Sequence, residues 1–141
     1  MNKIKVTLDP GAFLPTRAYD TDAGMDLMCR DDEVKIYEGS SAVIDTGVHM
    51  EIPEGYCGRI ESKSGLNFDY SIVACGGVID SGYTGSIKVK VYNLGRSWFR
   101  FFKGDKIAQI IIQPCVLCDT EVVEKLRETD RGDNGFGSTG K

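Results

Sequence analysis

The residues of this 141-residue chain best suited to chemistry lie in five short stretches. The C-terminal one, Arg131-Gly132-Asp133-Asn134-Gly135-Phe136-Gly137-Ser138-Thr139-Gly140-Lys141, holds the parts of a polyanion clamp. Glycines let backbone N–H groups approach a ligand, Ser138 and Thr139 supply hydroxyl donors, and Arg131 supplies a planar, forked cation. Phe136 adds a flat face on which a base could stack. The four glycines also make the segment costly to order by itself, so its composition equally suits a solubilising terminus. Gly132 and Gly137 have the spacing of a P-loop, but Ser138 stands where that motif requires lysine.

The other four stretches each have a plain reading beside a chemical one. In Gly77-Val78-Ile79-Asp80-Ser81-Gly82-Tyr83-Thr84-Gly85, an aspartate sits between an apolar run and a Ser-Gly turn. Asp, Ser and Gly serve ordinary hairpin tips, and Asp80 could equally act as a general base with Tyr83 walling a sugar. Glu61-Ser62-Lys63-Ser64-Gly65-Leu66 runs from a strand into a helix start. Its free N–H groups favour phosphate, while Ser62 or Ser64 could simply cap the helix. In Ala23-Gly24-Met25-Asp26-Leu27, alternation puts Asp26 on the strand face opposite Met25 and Leu27, toward solvent or a metal-bound water. In Gly104-Asp105-Lys106-Ile107-Ala108-Gln109-Ile110-Ile111-Ile112, Gln109 interrupts an apolar strand and needs a partner, either a backbone group or a phosphate.

The elements that must position these side chains read as strands. Period-two alternation and β-branched runs predict strands over 3–8, 34–37, 42–46, 49–52, 58–61, 87–92, 98–102 and 107–113, with Gly and Pro at close intervals between them. Two segments could be helical: 64–70, and 119–128 with Val122, Val123 and Leu126, where Glu121-Val122-Val123 could instead complete a strand. The expected class is all-β, as a sandwich, jelly roll or small barrel with at most one short helix. A chain of this length forms one domain and buries its core without metal or disulfide staples. Five scattered cysteines, Cys29, Cys57, Cys75, Cys115 and Cys118, argue against a disulfide framework. The single Cys115-x-x-Cys118 pair and lone His49 make a poor zinc site. No apolar run suits a signal peptide or a membrane span, so a cytoplasmic location is expected. A net charge of −4 and a pI near 5.0 weigh against stable nucleic-acid binding, though not against a small anion carried with a divalent cation.

Each stretch is weak alone; their order is specific. AGMDL, SKSGL, GVIDSGYTG, GDKIAQ and RGDNGFGSTG, in this sequence and spacing from Ala23 to Gly140, resemble the five-motif series of the trimeric dUTPases. The intervening TGVHMEIPEGYCGRIESKSGL is similar to that family's run into its second motif. The resemblance implies an eight-stranded jelly roll over residues 1–128 and a flexible Gly-rich arm over 129–141 that closes on the nucleotide. It implies a homotrimer whose sites are shared: one subunit supplies the first, second and fourth motifs, another the third, and the remaining one the arm. By the same resemblance Asp80 orients and deprotonates the attacking water, and Tyr83 packs against deoxyribose. The backbone of Gly77, Val78 and Ile79 reads uracil, and Lys63, Ser64, Gly65 and Gln109 bind phosphates. Asp26 holds Mg2+ through water, Phe136 stacks on uracil, and Arg131, Gly137, Ser138 and Thr139 engage the terminal phosphates. The implied reaction is attack of water on the α-phosphorus of dUTP, releasing dUMP and pyrophosphate.

The chain departs from the family pattern at three positions. Ser62 and Lys63 replace the usual Pro-Arg of the second motif, so the cation there lacks bidentate geometry. Ser86 stands where glutamate is common, an exchange expected to affect subunit packing more than chemistry. A dCTP deaminase of the same fold would carry a glutamate where this chain reads Lys88-Val89-Lys90. Relatives that bind repressors suggest a nucleotide-sensing regulatory role with a protein partner, for which the sequence shows no extra insert.

Overall fold

The computed structural model describes residues 3–136. The chain runs through β1 (Lys5–Leu8), β2 (Gly24–Met28), β3 (Glu33–Ile36), β4 (Ser41–Asp45), β5 (Val48–Glu51) and β6 (Tyr56–Glu61), then helix α1 (Ser64–Tyr70). It continues through β7 (Ile72–Cys75), β8 (Val78–Ile79), β9 (Lys88–Asn93), β10 (Phe99–Phe102) and β11 (Lys106–Pro114). All pairings are antiparallel. A four-stranded sheet has the order β2-β11-β6-β8, a three-stranded sheet β4-β9-β7, and two ribbons pair β1 with β5 and β3 with β10.

The expected class is observed: mostly β, with one short helix. In detail the described residues form eleven strand segments rather than eight, and the sheets stand separately instead of closing into a barrel. Where one strand face meets solvent, alternation is clean. On β9, Val89, Val91 and Asn93 point inward while Lys88 and Lys90 point out. β2, β7 and β8 lie outside the expected strands, because Asp26 and Leu27 are both buried on β2, and β7 and β8 have only four and two residues. Periodicity has little to register in such segments.

Leu27, Ile44, Val89, Phe101, Ile107 and Ile110 form the centre of the core. Full burial of such side chains contributes about 1.5–3 kcal/mol each. Asn93, fully buried, donates to the carbonyls of Ile36 (3.0 Å) and Ser97 (2.8 Å) and accepts from the Gly95 N–H (2.9 Å). It thereby ties β3 to the turn between β9 and β10.

Helix α1 occupies the range its sequence predicts, but its cap differs. Lys63 is the capping residue, with extended backbone and no side-chain cap. Ser62 is unavailable because its hydroxyl donates to the Ala74 carbonyl (3.0 Å) and accepts from the Ala74 N–H (2.9 Å), joining the end of β6 to β7. Segment 119–128 forms neither helix nor strand. Val122 and Leu126 are exposed there, and a short helix with no face to bury gains little in water.

Gly76 lies where β7 passes toward β8. A Cβ at this position would sit 2.7 Å from Ile60 Cγ1 and 2.9 Å from the Lys88 carbonyl oxygen. Backbone cannot yield as a side-chain tip does, so Gly76→Ala is expected to destabilise the fold by about 1–3 kcal/mol. Chemical denaturation would detect this as a lowered midpoint.

Candidate active site

The sheet order brings one group of the candidate residues together. Gln109 on β11 is flanked by Asp26 on β2 and Glu61 on β6, and Lys63 follows directly from β6. A register shift between Lys106 and Ala108 adds a bulge to β11. Residues three apart in a regular strand face opposite ways; the extra residue lets Lys106 and Gln109 serve the same side.

Asp26 is the electrostatic centre of this group. It is only 6% exposed, so the solvent-facing alternative does not hold; the Lys63 and Lys106 side chains close on its carboxylate. Lys63 donates to its Oδ1, and Lys106 donates to its Oδ2 at 2.6 Å. Burial pushes the Asp26 carboxyl up, but the bonds from Lys106 and Lys63 outweigh it and hold it below its ordinary 3.8. The same pairing raises Lys106. Lys106 is the residue sequence reasoning passed over, although it lies inside the quoted GDKIAQ run. Gln109 takes the plainer of its two expected partners: its amide donates to the Ser62 carbonyl at 3.0 Å. Gly24 makes room for it, since a Cβ there would lie 2.3 Å from Gln109 Oε1. Ser64 and Gly65 open α1 beside Lys63, both exposed, and neither caps it.

The second group sits elsewhere. β8 is the edge strand of its sheet, with Ile79 opposite Gly58 and Val78 opposite Arg59. One row of its backbone groups therefore faces away from β6. The Gly77 carbonyl is used inward, accepting from the Ile60 N–H at 3.3 Å. Asp80, directly after β8, is exposed beside Cys57 at the start of β6. A turn closes when the Tyr83 N–H donates to the Asp80 carbonyl (3.1 Å), and the Tyr83 hydroxyl donates to the Ser86 carbonyl (2.9 Å). The Tyr83 ring lies over Gly85, where a Cβ would come within 2.4 Å of its hydroxyl.

The two groups occupy opposite ends of β6. From Cys57 to Lys63 is six residues of extended chain, on the order of 20 Å. Asp80 and Lys63 therefore do not meet within one copy of the chain.

Arg131 and Phe136 lie on the segment after β11, which carries no strand or helix among the described residues. Arg131 Nε donates to the Asn134 carbonyl (2.8 Å), and Phe136 is fully exposed with φ of 50°. No hydrogen bond among the described residues joins either to Asp26, Lys63, Gln109 or Asp80. Gly137, Ser138 and Thr139 lie outside the described residues. The five cysteines are free, and Cys115 faces Cys57 rather than Cys118; burial first, then the Cys57 thiol, raises its pKa.

A family model for dUTPase matches residues 11–140. The chain is 41% identical over 140 residues to the deoxyuridine 5'-triphosphate nucleotidohydrolase of Clostridium acetobutylicum, covering 98% of this chain and 95% of that protein. The chain belongs to the dUTPase family. Its activity is the hydrolysis of dUTP. The solved dUTPase of Staphylococcus bacteriophage 80alpha with dUPNHPP superposes with a TM-score of 0.92 at 30% identity, over 100% of both chains. A mutant dUTPase from phage phi11 of S. aureus, whose structure details coordination of a structural Mg(II) ion, superposes with a TM-score of 0.81 at 29% identity, over 88% of this chain and 98% of that one. The first, second and fourth motifs of the series are thus carried by β2, β6–α1 and β11, and the third lies directly after β8.

Proposed function

We propose that the chain cleaves dUTP to dUMP and pyrophosphate by attack of an Asp80-activated water on the α-phosphorus, in sites assembled between copies of a homotrimer. The observation that carries this reading is the separation of the half-sites along β6. Cations at one end and the exposed carboxylate at the other can act on one nucleotide only if they come from different copies. The segment after β11, with its unsheltered apolar side chains, fits an arm that completes the site from a further copy, in line with a core over 1–128 and an arm over 129–141.

In this scheme the free edge of β8 reads uracil through the backbone of Gly77, Val78 and Ile79, and Tyr83 packs against deoxyribose. Main-chain groups that fit uracil meet the reversed donor and acceptor pattern in cytosine, at a cost of about 1–3 kcal/mol for each unpaired buried group. Lys63, Ser64, Gly65 and Gln109 receive phosphates, Lys106 joins Lys63 there, and Arg131, Gly137, Ser138 and Thr139 engage the terminal phosphates while Phe136 stacks on the base. Asp80 takes the proton of the attacking water, which requires a carboxylate oxygen roughly 2.6–3.2 Å away.

Among the described residues no cluster of three or more His, Cys, Asp or Glu side chains could hold a metal. The donor set nevertheless fits Mg2+ in a limited sense: Asp26 offers a single hard carboxylate, and that ion commonly keeps its waters and takes phosphate oxygens as further ligands. Bound there with the nucleotide, Mg2+ would offset charge building on the phosphates. Five free thiols suit a reducing cytoplasm.

Pyrophosphate release from dUTP, dCTP, dTTP and UTP with Mg2+ tests the reaction and its selectivity together. Fast turnover of dUTP alone is expected; comparable turnover of dCTP or UTP refutes the base and sugar readings. Light scattering should report a trimer, and a fully active monomer would refute the shared site.

A further inference from the structure

The loop 80–86 leaves the four-stranded sheet at β8 and enters the three-stranded sheet at β9. Within itself it is a compact unit, closed by the Tyr83 N–H on the Asp80 carbonyl and the Tyr83 hydroxyl on the Ser86 carbonyl. Its links to the body of the protein are few. Beyond the loop, the Ile87 N–H donates to the Val48 carbonyl (2.8 Å), while the Ile87 carbonyl accepts from Thr46 Oγ1 (2.7 Å). At the loop itself, His49 Nδ1 bonds the Thr84 carbonyl at 2.8 Å and the Ser86 hydroxyl donates to Asp45 Oδ1. His49 is the only histidine in the chain.

We propose that His49, in its doubly protonated form, is a positioning residue for dUTP hydrolysis, clamping the loop that carries Asp80 and Tyr83 to the body of the protein through the Thr84 carbonyl. The proposal rests on the reading of Asp80 as the water-activating carboxylate.

The proton assignment follows from the partners. A carbonyl oxygen only accepts, so Nδ1 must carry hydrogen. His49 Nε2 lies 3.1 Å from Asp9 Oδ1, and a carboxylate also only accepts. Both contacts are satisfied together only by the imidazolium. The charges around it are mixed. Asp9, in the turn after β1, and Asp45, at the end of β4, favour the cation. Arg30, following β2, bridges those two carboxylates at 3.1 Å and 3.4 Å, and Lys88 of β9 lies near Asp45. The exposed Lys5–Glu51 pair, at 2.9 Å across β1 and β5, borders the same shallow pocket as His49 and Thr84. The balance favours protonation: the Thr84 bond raises the His49 pKa above its ordinary 6.5, burial opposes this, and Asp9 adds to the rise.

The sign follows. The clamp is complete below pH 6.5 and is lost as pH rises through the raised value: the Asp9 carboxylate, the stronger acceptor, keeps the remaining proton on Nε2, and the Nδ1 lone pair then faces the Thr84 carbonyl. Ser86 contributes a second anchor, so the position that usually holds glutamate in this family supports the loop here through Asp45.

The test is the pH profile of kcat and KM for dUTP with Mg2+, for wild type, His49→Ala, His49→Gln and Asp80→Asn, with folding of each variant checked by thermal melting. Below pH 6.5 we expect kcat of His49→Ala to fall about 10- to 100-fold, as slight misplacement of a reacting group does, with a smaller change in KM. The gap should close as pH rises through the His49 titration. His49→Gln, which keeps a donor but no titratable charge, should recover part of the rate and lack this limb. NMR titration of the single imidazole in wild type should give a midpoint above 6.5, lowered in Asp9→Asn. A pH-independent gap, or a wild-type midpoint at or below 6.5, overturns the clamp even if His49→Ala fails to fold. If the clamp fails while Asp80→Asn is inactive, the reading of Asp80 stands. An active Asp80→Asn overturns that reading, and the clamp's catalytic role with it.

Discussion

Asp80→Asn is expected to lower kcat for dUTP by about 10²- to 10⁴-fold, the usual contribution of a positioned general base, with the fold unchanged. Asparagine preserves the shape of the side chain but cannot accept a proton from water. Stability should move by no more than about 0.5 kcal/mol, because Asp80 is exposed just beyond the edge strand β8. Nucleotide affinity should change little, since the backbone of Gly77, Val78 and Ile79 and the ring of Tyr83 remain in place. Pyrophosphate release, together with calorimetric binding of a non-hydrolysable dUTP analogue, separates the possibilities. A raised KM with unchanged kcat would assign Asp80 to ground-state binding and remove it as the base.

Asp26→Asn carries the second large effect, and it acts first on stability. The substitution removes the negative charge between Lys63 and Lys106, whose side chains are 28% and 45% exposed. Breaking a buried ion pair from one side costs about 3–5 kcal/mol. Solvent reaches both lysines here, so the loss should be nearer 2–3 kcal/mol, or about 5–10 °C in Tm for a chain of this size. Its pH dependence has a definite sign. The Asp26 pKa is held below 3.8, so its contribution is present above that value and disappears as pH falls through the folded-state pKa. The melting temperatures of wild type and Asp26→Asn should therefore differ at pH 7 and converge in acid. A constant difference would mean that the carboxylate's charge is not what the lysines stabilise. In the active enzyme, freeing both lysines should also weaken the response of hydrolysis to Mg2+.

Local signals were strong where one face of an element meets water. The alternation of Lys88 and Lys90 against Val89 and Val91 identifies β9, and the Ser64–Tyr70 helix appears at its expected bounds. They weakened where burial is two-sided or an element is very short, as in β2 and β8. The apolar residues of 119–128 suggested a helix, yet those on this segment find no surface to cover within a single copy. An amphipathic pattern states what an element could bury, not whether a partner surface lies beside it.

The sequence by itself determined the all-β class, the family through its five ordered motifs, and Asp80, Tyr83, Lys63 and Gln109 as site candidates. Only the tertiary structure showed that Lys63 and Asp80 lie at opposite ends of β6, that a bulge carries Lys106 to Asp26, and that Asp9, Arg30, Asp45, His49, Thr84 and Ser86 form one polar network. The reason is physical. Residue type and spacing constrain backbone dihedrals and the face a side chain takes, over a few residues at a time. Which distant carboxylate meets which cation depends on strand register and sheet order, and those are settled by how the whole chain packs its core.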